Sequence, residues 1–210
     1  MDLHTALRLA TVFAHLLVCA LALHTVLSTD WRLLRSRINA HQLERAHRRV
    51  LWSLTGLWAT GLVLVGLDTG FVAAELLARP KLVAKLVCVT VLSLNGVLLR
   101  GWCFPRLAGD KRLSRGEAIA LMACGGLSST SWLMAAFYGI ARPLQSWSIA
   151  ECLTLYAVAL LLALPVALSL EGRLRQGREA RALRRARGLR PTAPGELDAS
   201  PAAGAEVRTA

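Results

Sequence analysis

Long runs without a charged residue alternate along this chain with gaps that carry nearly all of its arginine. The uncharged runs are Leu9–Leu27, Val50–Leu67, Leu86–Leu99, Ala118–Ala141 and Cys152–Leu170. A helix of about 20 residues crosses a hydrocarbon core of about 30 Å. Four runs reach or approach that length. The third does so only if it begins near Leu82 and carries Lys85 inside it. Backbone polar groups in lipid must be bonded within their own segment, and the runs lack the period-two polarity of barrel strands, so each predicts a helix. The expected fold is all-α, a transmembrane bundle of five helices over residues 1–172.

The gaps orient it. Ser28–Arg49 holds Arg32, Arg35, Arg37, Arg45, Arg48 and Arg49, whereas Asp68–Pro80 holds only Arg79. Arg100–Glu117 holds Arg100, Arg106, Lys111, Arg112 and Arg115, whereas Arg142–Glu151 holds only Arg142. Nine more arginines follow Leu170. Basic loops stay in the cytoplasm, so the N-terminus is expected outside and the C-terminus cytoplasmic. Trp31, Trp52, Trp102 and Trp147 fall near the expected helix ends, as interfacial aromatics do, while Trp58 and Trp132 lie deeper and are expected to pack between helices. The start of the chain, Met1-Asp2-Leu3-His4, has no basic region ahead of its apolar run, and it reads as a retained helix and not a cleaved signal. Residues 173–190 alternate Arg with Leu and Ala and predict a basic amphipathic helix extension facing anionic inner-leaflet lipids. Residues 191–210 are rich in Pro, Ala and Gly and predict a disordered tail.

Composition agrees with a bilayer protein. Hydrophobic residues make up 55% and charged residues 18%, against about 25% charged in soluble domains. The net charge of +12 sits in the gaps. No basic stripe with stacking aromatics accompanies it, so nucleic acid is not an expected partner. The five cysteines are scattered without a CxxC pair and read as small packing residues.

Polar residues inside the runs carry whatever chemistry the bundle has, because lipid penalises them. His15 lies near the middle of helix one and shares a face with His4, about 20° away around the helix, while His24 faces elsewhere. His15 either bonds to a neighbouring helix or serves as a haem or metal ligand or proton relay. Lys81 and Lys85 are one turn apart on helix three. Lys85 either snorkels outward or points into the bundle toward a carboxylate or ligand, with Asp68 and Glu75 as available partners. With helices one and three parallel, the expected axial offset of His15 and Lys85 is about 5–11 Å. Asn95 is expected to bond across helices. On helix four, Gly125/Ser129, Gly126/Thr130 and Ser131/Ala135/Gly139 are small residues at i, i+4 spacing, which predicts close helix packing at Gly125, Gly126 and Ser129, or a polar path. Pro165 is expected to kink helix five. Phosphate-binding loops, dinucleotide fingerprints and zinc-protease motifs are absent from the sequence, and no metal site is expected.

Three segments carry a family resemblance. Phe13-Ala14-His15-Leu16-Leu17 lies in helix one, Leu43-Glu44-Arg45 precedes helix two, and Lys81-Leu82-Val83-Ala84-Lys85-Leu86 opens helix three, with a basic C-terminal end. Over residues 5–115 this resembles the small bacterial membrane proteins around the HemJ-type protoporphyrinogen oxidases and the CopD and SirB-like groups. The resemblance implies bound haem b, with functional roles on His15 and Lys85. The chain departs from the pattern where the HemJ-type helix three carries a further histidine after an aromatic residue. Here that position reads Leu94-Asn95-Gly96, and helices two to five contain no histidine, so a bis-histidine haem lacks its second ligand.

The expectation from the sequence is a multi-pass protein of the bacterial inner (cytoplasmic) membrane, the Arg, Ala and Leu dominance suggesting a GC-rich genome. Its leading reading is haem-associated redox with His15 and Lys85 in the site. A small transporter or permease-like protein is the alternative, and a non-catalytic membrane assembly subunit is the third. Charge inside the bundle favours transport over scaffold. The lipid bilayer is the expected partner, and a homo-oligomer is left open.

Overall fold

The computed structural model describes residues 2–35, 40–108, 113–172 and 176. The expected helix extension over 173–190, apart from Gln176, and the expected tail over 191–210 lie outside the described residues. The elements are α1 (Leu3–Leu34), α2 (Ala40–Thr69), a short α3 (Ala73–Leu77), α4 (Pro80–Leu98), a π-helical turn (Leu99–Cys103), a short α5 (Phe104–Ala108), α6 (Arg115–Ile140), a 3₁₀ turn (Arg142–Ser146) and α7 (Ile149–Ser169). No strand occurs among the described residues. Five helices are long and apolar enough to cross a membrane: α1, α2, α4 with its continuation to Leu107, α6 and α7.

The helices overrun the uncharged runs because their ends reach beyond the apolar zone, where charged side chains are solvated at no cost to the backbone. Helix α1 contains Arg8 and Asp30, and α2 begins at Ala40, so His41 and His47 belong to it. The expectation that helices two to five lack histidine therefore holds for the uncharged runs and not for the helices. Pro80 opens α4, where its missing N–H is harmless, and Lys85 falls inside the helix. Ser114 with Glu117 and Ser148 with Glu151 form reciprocal capping boxes that start α6 and α7. Pro165 sits inside α7 without ending it.

Packing divides the bundle in two. Helices α1 and α2 pack chiefly on each other as a hairpin, while α4, α6 and α7 form a three-helix group. Ala84, Cys88, Ala135, Tyr138, Cys152 and Tyr156 make the group's core. Polar bonds cross it: Tyr138 Oη donates to the Cys152 carbonyl at 2.5 Å, Ser131 and Tyr156 hydroxyls meet at 2.7 Å, and Asn95 Nδ2 donates to the Cys124 carbonyl at 2.9 Å. Between long helices glycine matters at Gly126, where an added Cβ would lie 2.9 Å from the Ala167 Cβ, so α6 and α7 approach closely only because the side chain is missing.

Across the seam between hairpin and group, Ala22, Val26, Leu57, Leu92 and Trp132 form a single buried layer, and Trp58 Nε1 donates to Ser93 Oγ at 3.1 Å. Both deep tryptophans thus pack between helices, while Trp31, Trp52 and Trp147 are exposed. At one end of the bundle, here the Asp68 end, Arg8 Nε meets Asp68 Oδ1 at 2.7 Å and Arg79 Nη2 donates to the Asp68 carbonyl at 2.8 Å. The opposite end is the Arg100 end. Apolar side chains such as Phe13, Leu21, Leu94, Val97, Leu161 and Leu162 cover the outside, as a lipid-facing surface requires.

Candidate functional site

Two cavities lie in the seam, one above the other. The smaller, about 80 Å³, lies toward the Asp68 end. His15 of α1, Lys85 of α4 and Trp58 and Gly61 of α2 line it, with apolar side chains around them. His15 Nδ1 lies 2.7 Å from Thr60 Oγ1, and the Thr60 hydroxyl lies 2.7 Å from the Gly56 carbonyl one turn back. A hydroxyl has one proton to give. Thr60 donates it to Gly56, which assigns the imidazole proton to Nδ1, donating to Thr60 Oγ1, and leaves the Nε2 lone pair free. Lys85 Nζ donates to that lone pair at 3.4 Å. The result is one polar ladder from Lys85 through His15 and Thr60 to the α2 backbone.

The structure therefore brings His15 and Lys85 together, but as direct partners. Asp68 and Glu75 do not pair with Lys85: Asp68 is held by Arg8 and Arg79, and Glu75 is exposed on α3. A porphyrin does not fit between His15 and Lys85. Both imidazole nitrogens are engaged, and small-molecule sites begin at about 300 Å³, well above the 80 Å³ present. Among the described residues, no three His, Cys, Asp or Glu side chains converge as a metal site.

The larger cavity, about 460 Å³, opens between hairpin and group toward the Arg100 end. Its walls are almost wholly apolar, from Val26, Leu33, Leu43, Val50, Met122 and Val166 among others. The polar exceptions are few: Thr29, Asp30, His47, Ser93, Arg100 and the hydroxyls of α6. Ser129 Oγ donates to Asp30 Oδ2, and it also lies 3.1 Å from the Gly125 carbonyl. His47 Nε2 is buried without a hydrogen-bond partner, and its ring stands edge-on to Phe104 at 5.0 Å. Leu54, Leu92 and Trp132 line both cavities, so this apolar layer is the wall between them.

Gly125, Gly126 and Ser129 of α6 all line this cavity. Of the three residues assigned to packing, Gly126 makes the close helix contact. A Cβ on Gly125 would meet nothing within 4 Å. Ser129 joins α6 to α1 through Asp30 and not through a bare small-residue contact. Asp30, His47 and Arg100 were missed because all three lie in the charged gaps between uncharged runs. A helical signal for Asp30 was present: Ala22, Val26, Asp30 and Leu33 recur at helical spacing on one face of α1. No family model, curated protein or solved structure matches the chain.

Proposed function

We propose that the chain is a multi-pass protein of the bacterial inner membrane, N-terminus outside and C-terminus in the cytoplasm, that binds a lipid-soluble small molecule in the large cavity and acts as a small permease. The cavity itself carries this reading: its 460 Å³ lies in the range of ligand sites, its walls are apolar, and its few polar groups include a carboxylate. Charge inside the bundle has no use in a scaffold, where apolar packing is the more stable choice. Charge distribution supports the orientation. The Arg100 end gathers Arg32, Arg35, Arg45, Arg48, Arg49, Arg106 and Arg115, so by the positive-inside rule it faces the cytoplasm.

The seam suits transport mechanically. Two helix groups that share one buried layer can rock against each other around it, and alternating access in small transporters is largely such rocking. The layer of Leu54, Leu92 and Trp132 then bars the large cavity from the Asp68 end until the groups part. The resemblance to HemJ-type proteins concerns helices one and three, and the His15–Lys85 contact leaves haem without a place there.

Mass analysis of solvent extracts tests the proposal. Wild type and Gly125→Phe, which fills the cavity from a position with free space, are purified from membranes side by side. The expected result is a small lipophilic species recovered with wild type and depleted in the variant. Identical extracts, or a haem Soret band that disappears in His15→Ala, would contradict it.

A further inference from the structure

We infer that the large cavity selects a lipophilic cation, with the Asp30 carboxylate as the acceptor of its charge. The inference rests on the ligand-binding reading above and names the chemical class of the ligand. Asp30 is the one acidic residue lining the cavity among the described residues. The ion pairs among the described residues use Asp68, Glu117 and Glu171, and none reaches Asp30. Oδ2 is held by the Ser129 hydroxyl. Among the described residues Ser129 is the one side chain that bonds this carboxylate, and Asp30 is half-buried where it lines the cavity.

A carboxylate facing an apolar chamber is disfavoured until a positive charge sits beside it. An organic cation supplies that charge and fills the apolar volume with its hydrocarbon part, so both halves of the site are used by one molecule. Ring faces add to this preference: Trp132 and Phe104 line the same cavity, and aromatic faces attract cations. A neutral ligand leaves the carboxylate unpaired. An anion is repelled by Asp30 unless it is drawn by Arg100, which also lines the cavity and is exposed. Ser129 positions the carboxylate by holding one of its oxygens at the cavity wall.

Three probes of similar shape separate these cases. Phenyltrimethylammonium, its neutral isostere tert-butylbenzene and the anion benzenesulfonate are titrated calorimetrically into protein in nanodiscs, with empty nanodiscs subtracted. The expected result is at least tenfold tighter binding of the cation than of the neutral isostere. Asp30→Asn abolishes that preference while tert-butylbenzene binding stays within about twofold, which also reports that the cavity is intact. Ser129→Ala reduces the preference partly. Equal affinity for cation and isostere in wild type, or a preference that survives Asp30→Asn, overturns the inference but leaves the ligand-binding cavity standing. Tightest binding of benzenesulfonate, lost in Arg100→Gln, overturns it in favour of an anion. If none of the three probes binds wild type, the inference and the proposed function fall together.

Discussion

At the Asp68 end of the seam, Lys85, His15 and Thr60 spend their polar groups on one another, and the space between the helices shrinks to about 80 Å³. At the Arg100 end the Ser129 hydroxyl joins α6 to α1 at Asp30, and about 460 Å³ stays open. The same two helix groups flank both regions. The difference therefore lies in side-chain satisfaction and not in backbone architecture: long polar side chains that find partners close a seam, and a carboxylate bonded by a single serine beside an imidazole with an unpartnered nitrogen leaves it available to a ligand. By this comparison the histidine–lysine pair, chemically the more conspicuous in sequence, closes the seam with its own bonds, and the chamber with room for a ligand is the other one.

The largest effect should come from α6, where Gly125 and Gly126 both border the large cavity but only Gly126 also packs against α7. Gly126→Leu pushes a side chain against Ala167, where even a Cβ would come within 2.9 Å. Overpacking of this kind costs about 1–3 kcal/mol or more. Gly125→Leu adds the same atoms to free space and should leave thermal unfolding in detergent nearly unchanged. Equal losses at the two positions would break the distinction between a packed and an open face.

Next in size is the ladder. His15→Ala strands Lys85 Nζ and should cost about 1–3 kcal/mol, the penalty for a polar group left without a partner. Lys85→Met keeps the packing of the long stem and removes the polar head, so it should cost less than His15→Ala in the same unfolding measurement. A larger loss for Lys85→Met would mean that the lysine does more than satisfy the histidine. The smallest effect is expected at Thr60→Val, which preserves shape and deletes one hydroxyl, the acceptor of His15 Nδ1 and a donor to the Gly56 carbonyl. It should cost about 1 kcal/mol, or about 2–4 °C in Tm for a chain of this length.

Legibility in the sequence followed the physics of each feature. Lipid imposes a length and bans charge, so the five uncharged runs predicted five helices, and even the short third run resolved as expected once Lys85 was placed inside it. Helix ends were less legible, because a helix does not stop where its apolar run stops: α1 continues past Asp30 and α2 starts well before Val50. That is why the lining of the large cavity escaped notice. His15 and Lys85 stood out as polar residues within or beside apolar runs and do meet, yet their spacing suggested an axial gap that a cofactor would bridge. The flexible lysine stem spans that gap itself, a freedom that residue spacing does not encode. Gly125 and Gly126 were indistinguishable as letters. Which of two adjacent glycines faces the neighbour depends on the rotation of α6, and that is set by the whole bundle.

The most direct test of the central claim asks which of the two regions takes a ligand. Tert-butylbenzene is titrated into wild type, Gly125→Phe and His15→Ala in nanodiscs. The account predicts saturable binding to wild type, loss of at least tenfold in Gly125→Phe, and near wild-type affinity in His15→Ala. Binding that survives Gly125→Phe and disappears in His15→Ala would contradict it, and would move the functional site to the Asp68 end.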